Sequence, residues 1–219
     1  MTKRLILALG IIGLSVTGVR ADSVNEKEIT YADPTIYVEN GKYYLTGTRN
    51  QEPLGFAILE STDLKHWTVP NGKDLQLILR KGDQAFGEKG FWAPQYFKDK
   101  RTYYFTYTAN EQTVIASSKS VFGPFRQKEV KPIDASAKNI DSFLFKDDDG
   151  KYYLYHVRFN KGNYLWVAEF DIKKGSIKPE TLKQCMDCTE SWEKTPNYKS
   201  APVMEGPTVM KLSLIHISE

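Results

Sequence analysis

The sequence Tyr31-Ala-Asp-Pro-Thr-Ile-Tyr-Val-Glu-Asn-Gly-Lys-Tyr-Tyr-Leu-Thr-Gly-Thr48 decides the fold of this chain. Two runs of β-prone residues flank the dipeptide Asn40-Gly41. Asn-Gly between two such runs is one of the strongest short-range signals for a β-hairpin. A carboxylate, Asp33, stands just before the first run, so the stretch predicts a hairpin that begins beside an acid.

The same pattern recurs along the chain, at residues 91–108 and 139–157, and its opening recurs at residues 203–211. In each full copy a pair of tyrosines follows the first position by ten or eleven residues. The first positions, which we call the ring positions, are Asp33, Ala93, Asp141 and Glu205. Successive ring positions are 60, 48 and 64 residues apart.

These repeats predict an all-β fold. No segment keeps a 3.6-residue hydrophobic period over the length of a helix. Many short strands in repeats of about 50–60 residues are typical of a β-propeller with four strands per blade, and an ordinary β-sandwich is the alternative. Besides the hairpins, we expect strands at residues 56–59, 65–69, 75–79, 113–118 and 164–171, and one that begins at residue 122.

The N-terminal residues predict export to the periplasm or the extracellular space. Lys3 and Arg4 precede an apolar run, and small residues lead to Ala21. This pattern is typical of a signal peptide at residues 1–21, and it is less typical of a buried helix or a membrane span. Three of the 30 Lys and Arg residues lie there, so the rest of the chain has 27 basic and 27 acidic residues. That balance predicts neither a nucleic-acid partner nor a membrane partner after cleavage.

Three of the four ring positions are acids. In a propeller the first strand of each blade lines the central axis, so the ring positions would converge at one mouth of the channel. Convergent carboxylates can bind a cation, pair with basic residues or perform acid–base chemistry on an uncharged substrate. Glycoside hydrolysis needs two of them, and a third raises the pKa of the proton donor by like-charge repulsion. A Ser-His-Asp triad and a zinc site fit less well, because only His66 and His156 lie in the repeats and no nucleophile elbow is present.

Four motifs together resemble the signature blocks of glycoside hydrolase family 43, the family of arabinofuranosidases, xylosidases and arabinanases. They are Tyr-Ala-Asp-Pro-Thr at 31–35, Phe-Trp-Ala-Pro-Gln at 91–95, Asn-Ile-Asp-Ser-Phe at 139–143 and Met-Glu-Gly-Pro at 204–207. The resemblance covers about residues 30–211. It implies a five-bladed β-propeller that hydrolyses arabinan, arabinoxylan and xylo-oligosaccharides with inversion at the anomeric carbon.

The resemblance also implies roles for individual residues. Asp33 would be the general base, Asp141 the residue that modulates pKa and positions the substrate, and Glu205 the general acid. Trp92 would form an aromatic wall for a sugar, with packing between blades as the equal alternative. Phe143 and Arg158 are further candidates for substrate binding. The resemblance implies no required cofactor and no metal site in this chain, although a central calcium ion is possible in the complete protein.

The end of the chain departs from the family pattern. Residues 22–211 are expected to supply about three blades and the first strand of a fourth, and residues 212–219 resemble read-through sequence. We therefore expect a C-terminally truncated polypeptide that is poorly soluble or inactive as written. The Asp147-Asp-Asp-Gly150 sequence predicts a hairpin turn in preference to a calcium loop.

Other features leave alternatives open. Cys185 and Cys188 favour a local disulfide over a redox pair or a metal site. The expected partner is an oligosaccharide or polysaccharide, and the chain is a monomer or an oligomer that the sequence does not define. The alternatives to the glycosidase are a non-catalytic carbohydrate-binding propeller, a protein-interaction scaffold, and a related five-bladed glycosidase that acts on fructans or mannosides.

Overall fold

A computed structural model describes residues 29–194 and 201–212. The predicted signal peptide at residues 1–21 lies outside these ranges, as does the predicted tail from residue 213 on. The described residues form thirteen β-strands and three short 3₁₀ turns, so the predicted all-β class is confirmed. No helix among them is long and apolar enough to cross a membrane.

The first sheet contains β1 (Ala32–Glu39), β2 (Lys42–Thr48) and β4 (Leu59–Ser61) in that order, all antiparallel. The predicted hairpin is confirmed at its turn, where Asn40 (φ 51°) and Gly41 (φ 73°) both adopt the positive φ that a tight two-residue loop requires.

Next to this sheet, β3 (Gly55–Ala57) and β5 (Leu77–Arg80) form a separate two-stranded ribbon. The strand predicted at residues 56–59 is therefore divided at Ile58 between the ribbon and the first sheet. The strand predicted at residues 65–69 is reduced to a single bridge between Glu60 and Thr68.

The second sheet contains β6 (Trp92–Asp99), β7 (Thr102–Ala109) and β8 (Gln112–Ser118) in that order. The strand predicted to begin at residue 122 is instead an isolated bridge between Ser117 and Arg126. The third strand predicted for this copy, at residues 113–118, is confirmed as β8.

The third sheet has five strands, which are β9 (Asn139–Lys146), β10 (Tyr152–Phe159), β11 (Asn163–Asp171), β12 (Ser176–Ile177) and β13 (Lys183–Met186). Its first hairpin turns at Asp147, whose carbonyl accepts the Gly150 N–H at 2.9 Å. The predicted hairpin turn at this acidic sequence is therefore confirmed.

The three sheets follow one another in chain order, with the second between the other two. Strand β7 shows this by alternation, because Phe105 and Tyr107 pack toward the first sheet while Tyr104 packs toward the third. An aromatic core fills the first interface, and its members Phe56, Phe105, Tyr107 and Phe125 are fully buried. Leu144, Leu154 and Phe170 fill the second. The cores place β1, β6 and β9 side by side.

The described sheets do not close into a ring. The first strand predicted for a fourth sheet, at residues 203–211, is a single parallel bridge between Asn163 and Val203. That prediction is wrong for the described residues, because no neighbouring strand there offers a continuous ladder of hydrogen bonds.

Candidate active site

The ring positions of the three sheets share one backbone geometry. Asp33 (φ 46°), Ala93 (φ 45°) and Asp141 (φ 51°) all adopt the left-handed region. Positive φ is uncommon for any residue except glycine, so its occurrence at three equivalent positions shows that the sequence repeat is also a structural repeat. The sequence did not indicate this conformation.

A β-bulge causes the shared geometry. In the first sheet Ala32 pairs with Thr48 and Thr35 pairs with Thr46, so two residues of β1 lie opposite one residue of β2. The same register shift occurs in the second sheet after Trp92 and in the third sheet after Ile140. A bulge bends its strand and re-aims the side chains beside it. Each bulge therefore turns its ring position out of the regular ladder.

The structure brings the three acidic ring positions together. Asp141 is half-buried, whereas Asp33 and Glu205 are exposed. Burial, and next the negative charges of Glu205 and Asp33, raise the pKa of Asp141 from 3.8 to about 6, against a lowering effect of the Gly206 N–H hydrogen bond. Like charges oppose each other's ionisation only at short range, so Glu205 and Asp33 both lie close enough to Asp141 to oppose its ionisation.

Two threonines connect the ring positions of neighbouring sheets. The Thr48 hydroxyl donates to Asp33 Oδ2 at 2.7 Å and accepts the N–H of Ala93 at 2.8 Å. The Thr108 hydroxyl accepts the N–H of Asp141 at 3.0 Å. Both threonines are buried. The second sheet thus contributes to the site through the backbone of Ala93, although its ring position has no carboxylate.

Sequence reasoning missed both threonines. A signal was available, because each lies fifteen residues after the ring position of its own sheet and each is the second threonine of a Thr-x-Thr sequence. In the third sheet the equivalent position, opposite Ile140, is Val157, which has no hydroxyl.

Asn163 holds the segment that contains Glu205, and sequence reasoning missed it as well. Its backbone N–H donates to Pro202 O at 2.8 Å and its carbonyl accepts the Met204 N–H at 2.9 Å. Its side-chain amide donates to Glu205 Oε1. The first residue of β11 therefore sets the position of the acidic side chain.

The three residues predicted to bind substrate lie in different surroundings. Trp92 is partly buried next to Ala93, with its indole ring against Gly90. Phe143 is partly buried in β9, two residues after Asp141, and pairs with Tyr155 of the next strand. Both therefore lie within two residues of a ring position.

Arg158 is engaged by the protein itself. Its guanidinium forms an ion pair with Asp134, donates to Ser136 Oγ at 3.3 Å and lies 5.7 Å from the centre of the Trp166 ring. Its side chain is only 12% exposed. These contacts give Arg158 internal partners, and a role toward substrate stays a prediction.

The two cysteines lie outside the group of ring positions. Cys185 and Cys188 are both free thiols, so the disulfide that the sequence favoured is not formed. Cys185 lies in strand β13, where its Sγ is 3.3 Å from the Leu165 carbonyl oxygen.

Within residues 29–194 and 201–212, no three His, Cys, Asp or Glu side chains are grouped so that they could hold a metal ion.

Comparison with known proteins decides the family. The sequence profile of the glycosyl hydrolases family 43 matches residues 27–213, which is most of the chain. The chain belongs to this family. The resemblance inferred from the four motifs is therefore confirmed.

Two named enzymes are similar along most of this chain. The extracellular endo-α-(1→5)-L-arabinanase 1 of Bacillus subtilis (strain 168) is 28% identical in an alignment of 185 positions, which covers 79% of this chain and 56% of the arabinanase. A xylosidase/arabinosidase of Butyrivibrio fibrisolvens is 28% identical over 66% of this chain and 29% of its own.

Among solved structures, an endo-1,4-β-xylanase of Bacteroides thetaiotaomicron matches with a TM-score of 0.74 and 40% identity. The match covers 83% of this chain and 60% of the xylanase. The chain thus spans little more than half the length of the arabinanase and the xylanase that it resembles.

Proposed function

We propose that this protein is a glycoside hydrolase that cleaves arabinose- or xylose-containing oligosaccharides and polysaccharides with inversion. The observation that supports this most is the convergence of Asp33, Asp141 and Glu205 from separate segments of a family 43 fold, with the pKa of Asp141 raised to about 6. Names of relatives support the sugar class, since they include an arabinanase and xylosidase/arabinosidases.

The proposed architecture is a five-bladed propeller, of which the described sheets form about three blades. Two observations support it. The matched xylanase extends well beyond this chain, since the match covers 60% of it. On β1, Tyr37 packs against the second sheet, whereas Ile36 and Val38, on the opposite face, are 47% and 55% exposed. An exposed apolar sheet face of this kind is typical of a surface that another element covers.

In the proposed reaction, Asp33 is the general base and Glu205 the general acid. A water molecule attacks the anomeric carbon from the face opposite the leaving group, and Asp33 accepts its proton. Glu205 gives its proton to the glycosidic oxygen as that bond breaks. Inverting enzymes hold the two carboxyls about 6.5–9.5 Å apart so that the water fits between base and sugar.

Asp141 would be the residue that modulates pKa in the site and positions the substrate. Charge repulsion between carboxyls is mutual, so an ionised Asp141 opposes the loss of a second proton in the site. The Gly206 N–H lowers the pKa of Asp141, so the segment that contains Glu205 also acts on this residue through its backbone. Trp92 and Phe143, each within two residues of a ring position, would form the walls that contact the sugar.

The proposed setting is outside the cytoplasm. The predicted signal peptide supports export, and so does the name of the B. subtilis relative, which is an extracellular arabinanase. A calcium ion near the axis of the complete protein stays a prediction, because the described residues offer no group of ligands for one.

A leaving-group series tests the proposed roles. Asp33→Asn and Glu205→Gln are assayed on aryl α-L-arabinofuranosides and β-D-xylosides, in this chain and in the product of the complete gene. We expect Asp33→Asn to lower kcat/KM by a factor of about 10²–10⁴ for every leaving group. The attacking water must lose a proton to a base whichever leaving group departs. Glu205→Gln should lower it by a similar factor for poor leaving groups and far less for dinitrophenyl, which departs without a proton. ¹H NMR of the first-formed sugar should show the inverted anomer.

The control is Glu180→Gln, which removes an exposed carboxylate far along the chain from the ring positions and should leave both rates unchanged. Retention of the anomeric configuration, or a leaving-group dependence in Asp33→Asn and none in Glu205→Gln, would contradict the assignment. Sugar binding without turnover by the complete protein would favour the non-catalytic propeller instead.

A further inference from the structure

We propose that Thr48 is a positioning residue that orients Asp33 for its role as a base and connects it to the backbone of the second sheet. This inference deepens the proposed function and, for its meaning in catalysis, rests on it. The Thr48 hydroxyl is hydrogen-bonded to two residues that are distant in sequence. Asp33 lies fifteen positions before Thr48, and Ala93 lies 45 positions after it.

The direction of the hydrogen bonds supports this role. A backbone N–H can only donate, so the Thr48 oxygen accepts from Ala93 at 2.8 Å. The single hydroxyl proton of Thr48 is then free to point at Asp33 Oδ2, 2.7 Å away. This arrangement suits an ionised carboxylate, which can only accept, and donation by Ala93 polarises the hydroxyl toward it. An ionised carboxylate is the form that a general base needs.

Thr108 shows that the link to the next sheet and the link to the acid are separate. It occupies the equivalent place in the second sheet and likewise accepts the N–H of the next ring position. Its own ring position is Ala93, which has no carboxyl to receive the hydroxyl proton. Thr48 alone of the two therefore contacts an acid through its side chain.

Thr46 shows that a buried threonine on this face of β2 does not have to form a side-chain hydrogen bond. It lies two residues before Thr48 in the same strand, so its side chain points to the same side, and it is fully buried. Its hydroxyl has no hydrogen-bond partner among the described residues. Thr46→Val is therefore a matched control, because it makes the same chemical change in the same strand without breaking a hydrogen bond.

NMR couplings test the positioning without any need for activity. In the full chain, the three-bond Hα–Hβ couplings of Asp33 report whether its side chain occupies one rotamer or several. We expect one rotamer in the wild type, in Thr48→Ser and in Thr46→Val, and averaging in Thr48→Val. Averaged couplings in the wild type would overturn the proposal, as would a single rotamer in Thr48→Val. If Thr48→Val does not fold, the couplings of the wild type and of Thr48→Ser still test the proposal. A single Asp33 rotamer in both supports it, and averaged couplings in either overturn it.

The pH dependence of hydrolysis tests the consequence for catalysis. A hydrogen bond to a charged group stabilises that charge enough to move a titration by about one pH unit. In Thr48→Val the acidic limb of kcat/KM should therefore move up by about one pH unit, with kcat lowered about tenfold and KM nearly unchanged. Thr48→Ser should restore the limb and Thr46→Val should not move it. A fall in rate with an unmoved limb would mean that Thr48 acts only on the stability of the fold.

The two proposals fail in different ways. If the couplings behave as expected but the complete wild-type protein hydrolyses no glycoside, the proposed function fails and the contact between Thr48 and Asp33 stands. If the protein hydrolyses glycosides but Thr48→Val changes neither the couplings nor the acidic limb, the positioning role fails and the glycosidase stands.

Discussion

Replacing Asp141 with asparagine should stabilise the fold at neutral pH, although it removes a residue of the proposed site. Burial and the charges of Glu205 and Asp33 raise the pKa of this carboxyl from 3.8 to about 6. At about 1.4 kcal/mol for each pKa unit, that difference corresponds to about 3 kcal/mol. Partial solvent exposure screens some of it, so we expect a cost of about 2 kcal/mol for the ionised form.

The sign follows from proton linkage. The folded chain binds this proton more tightly than the unfolded chain, so the contribution favours folding below pH 3.8 and is lost as pH rises through about 6. The neutral amide of an asparagine side chain would resemble the protonated acid at every pH. Asparagine also tolerates the positive φ of this position, so the substitution adds little backbone strain.

Urea and thermal unfolding at several pH values provide the assay. At pH 8, Asp141→Asn should raise the free energy of unfolding by about 2 kcal/mol, and raise Tm by about 4–8 °C. At pH 4 the two proteins should be nearly equal. The control Asp74→Asn changes an exposed aspartate outside the site and should show no difference at either pH. An Asp141→Asn protein that is less stable at pH 8, or equally shifted at pH 4 and pH 8, would refute the electrostatic reasoning.

Two further predictions concern parts of the chain outside the carboxyl cluster. Tyr107→Phe removes a hydroxyl that donates to the Phe86 carbonyl at 2.7 Å inside the aromatic core, so it should lower the free energy of unfolding by about 1–2 kcal/mol in urea titrations; no loss would mean that water replaces the bond. Cys185 and Cys188 should both react with a thiol reagent in the native protein, slowly near pH 7 because burial raises the pKa of each thiol; a native protein with no titratable thiol would contradict the free-cysteine structure.

Much of the fold could be predicted because it depends on local sequence. The Asn40-Gly41 turn, the acidic turn at Asp147 and the tyrosine-rich second strands each specify a hairpin by nearby residues, and all three hairpins are present. The outer strands could not be predicted as well. Their pairing depends on which neighbouring strand is within reach, so the segment around Ile58 divides between two sheets and the segment around Thr68 keeps one bridge.

The site divides in the same way. Asp33, Asp141 and Glu205 could be proposed from the sequence because carboxylates at repeated positions have few chemical uses, and their catalytic roles stay predictions. The repeated Thr-x-Thr sequence was a signal for Thr48, but nothing in the sequence indicates Asn163, because its contact with Glu205 joins positions 42 residues apart and depends on how the chain packs.

In the second sheet the β-bulge orients a backbone N–H group instead of a carboxylate. Aspartate and asparagine adopt positive φ more readily than alanine, so Ala93 has the costliest of the three left-handed conformations, and it has no acid to direct. Strain of this kind persists only where the surrounding structure requires it. What the conformation provides is the Ala93 N–H, which reaches Thr48 and through it Asp33. The bulge of the second sheet therefore serves the ring position of the first sheet, and a ring position without a carboxylate can still belong to the site.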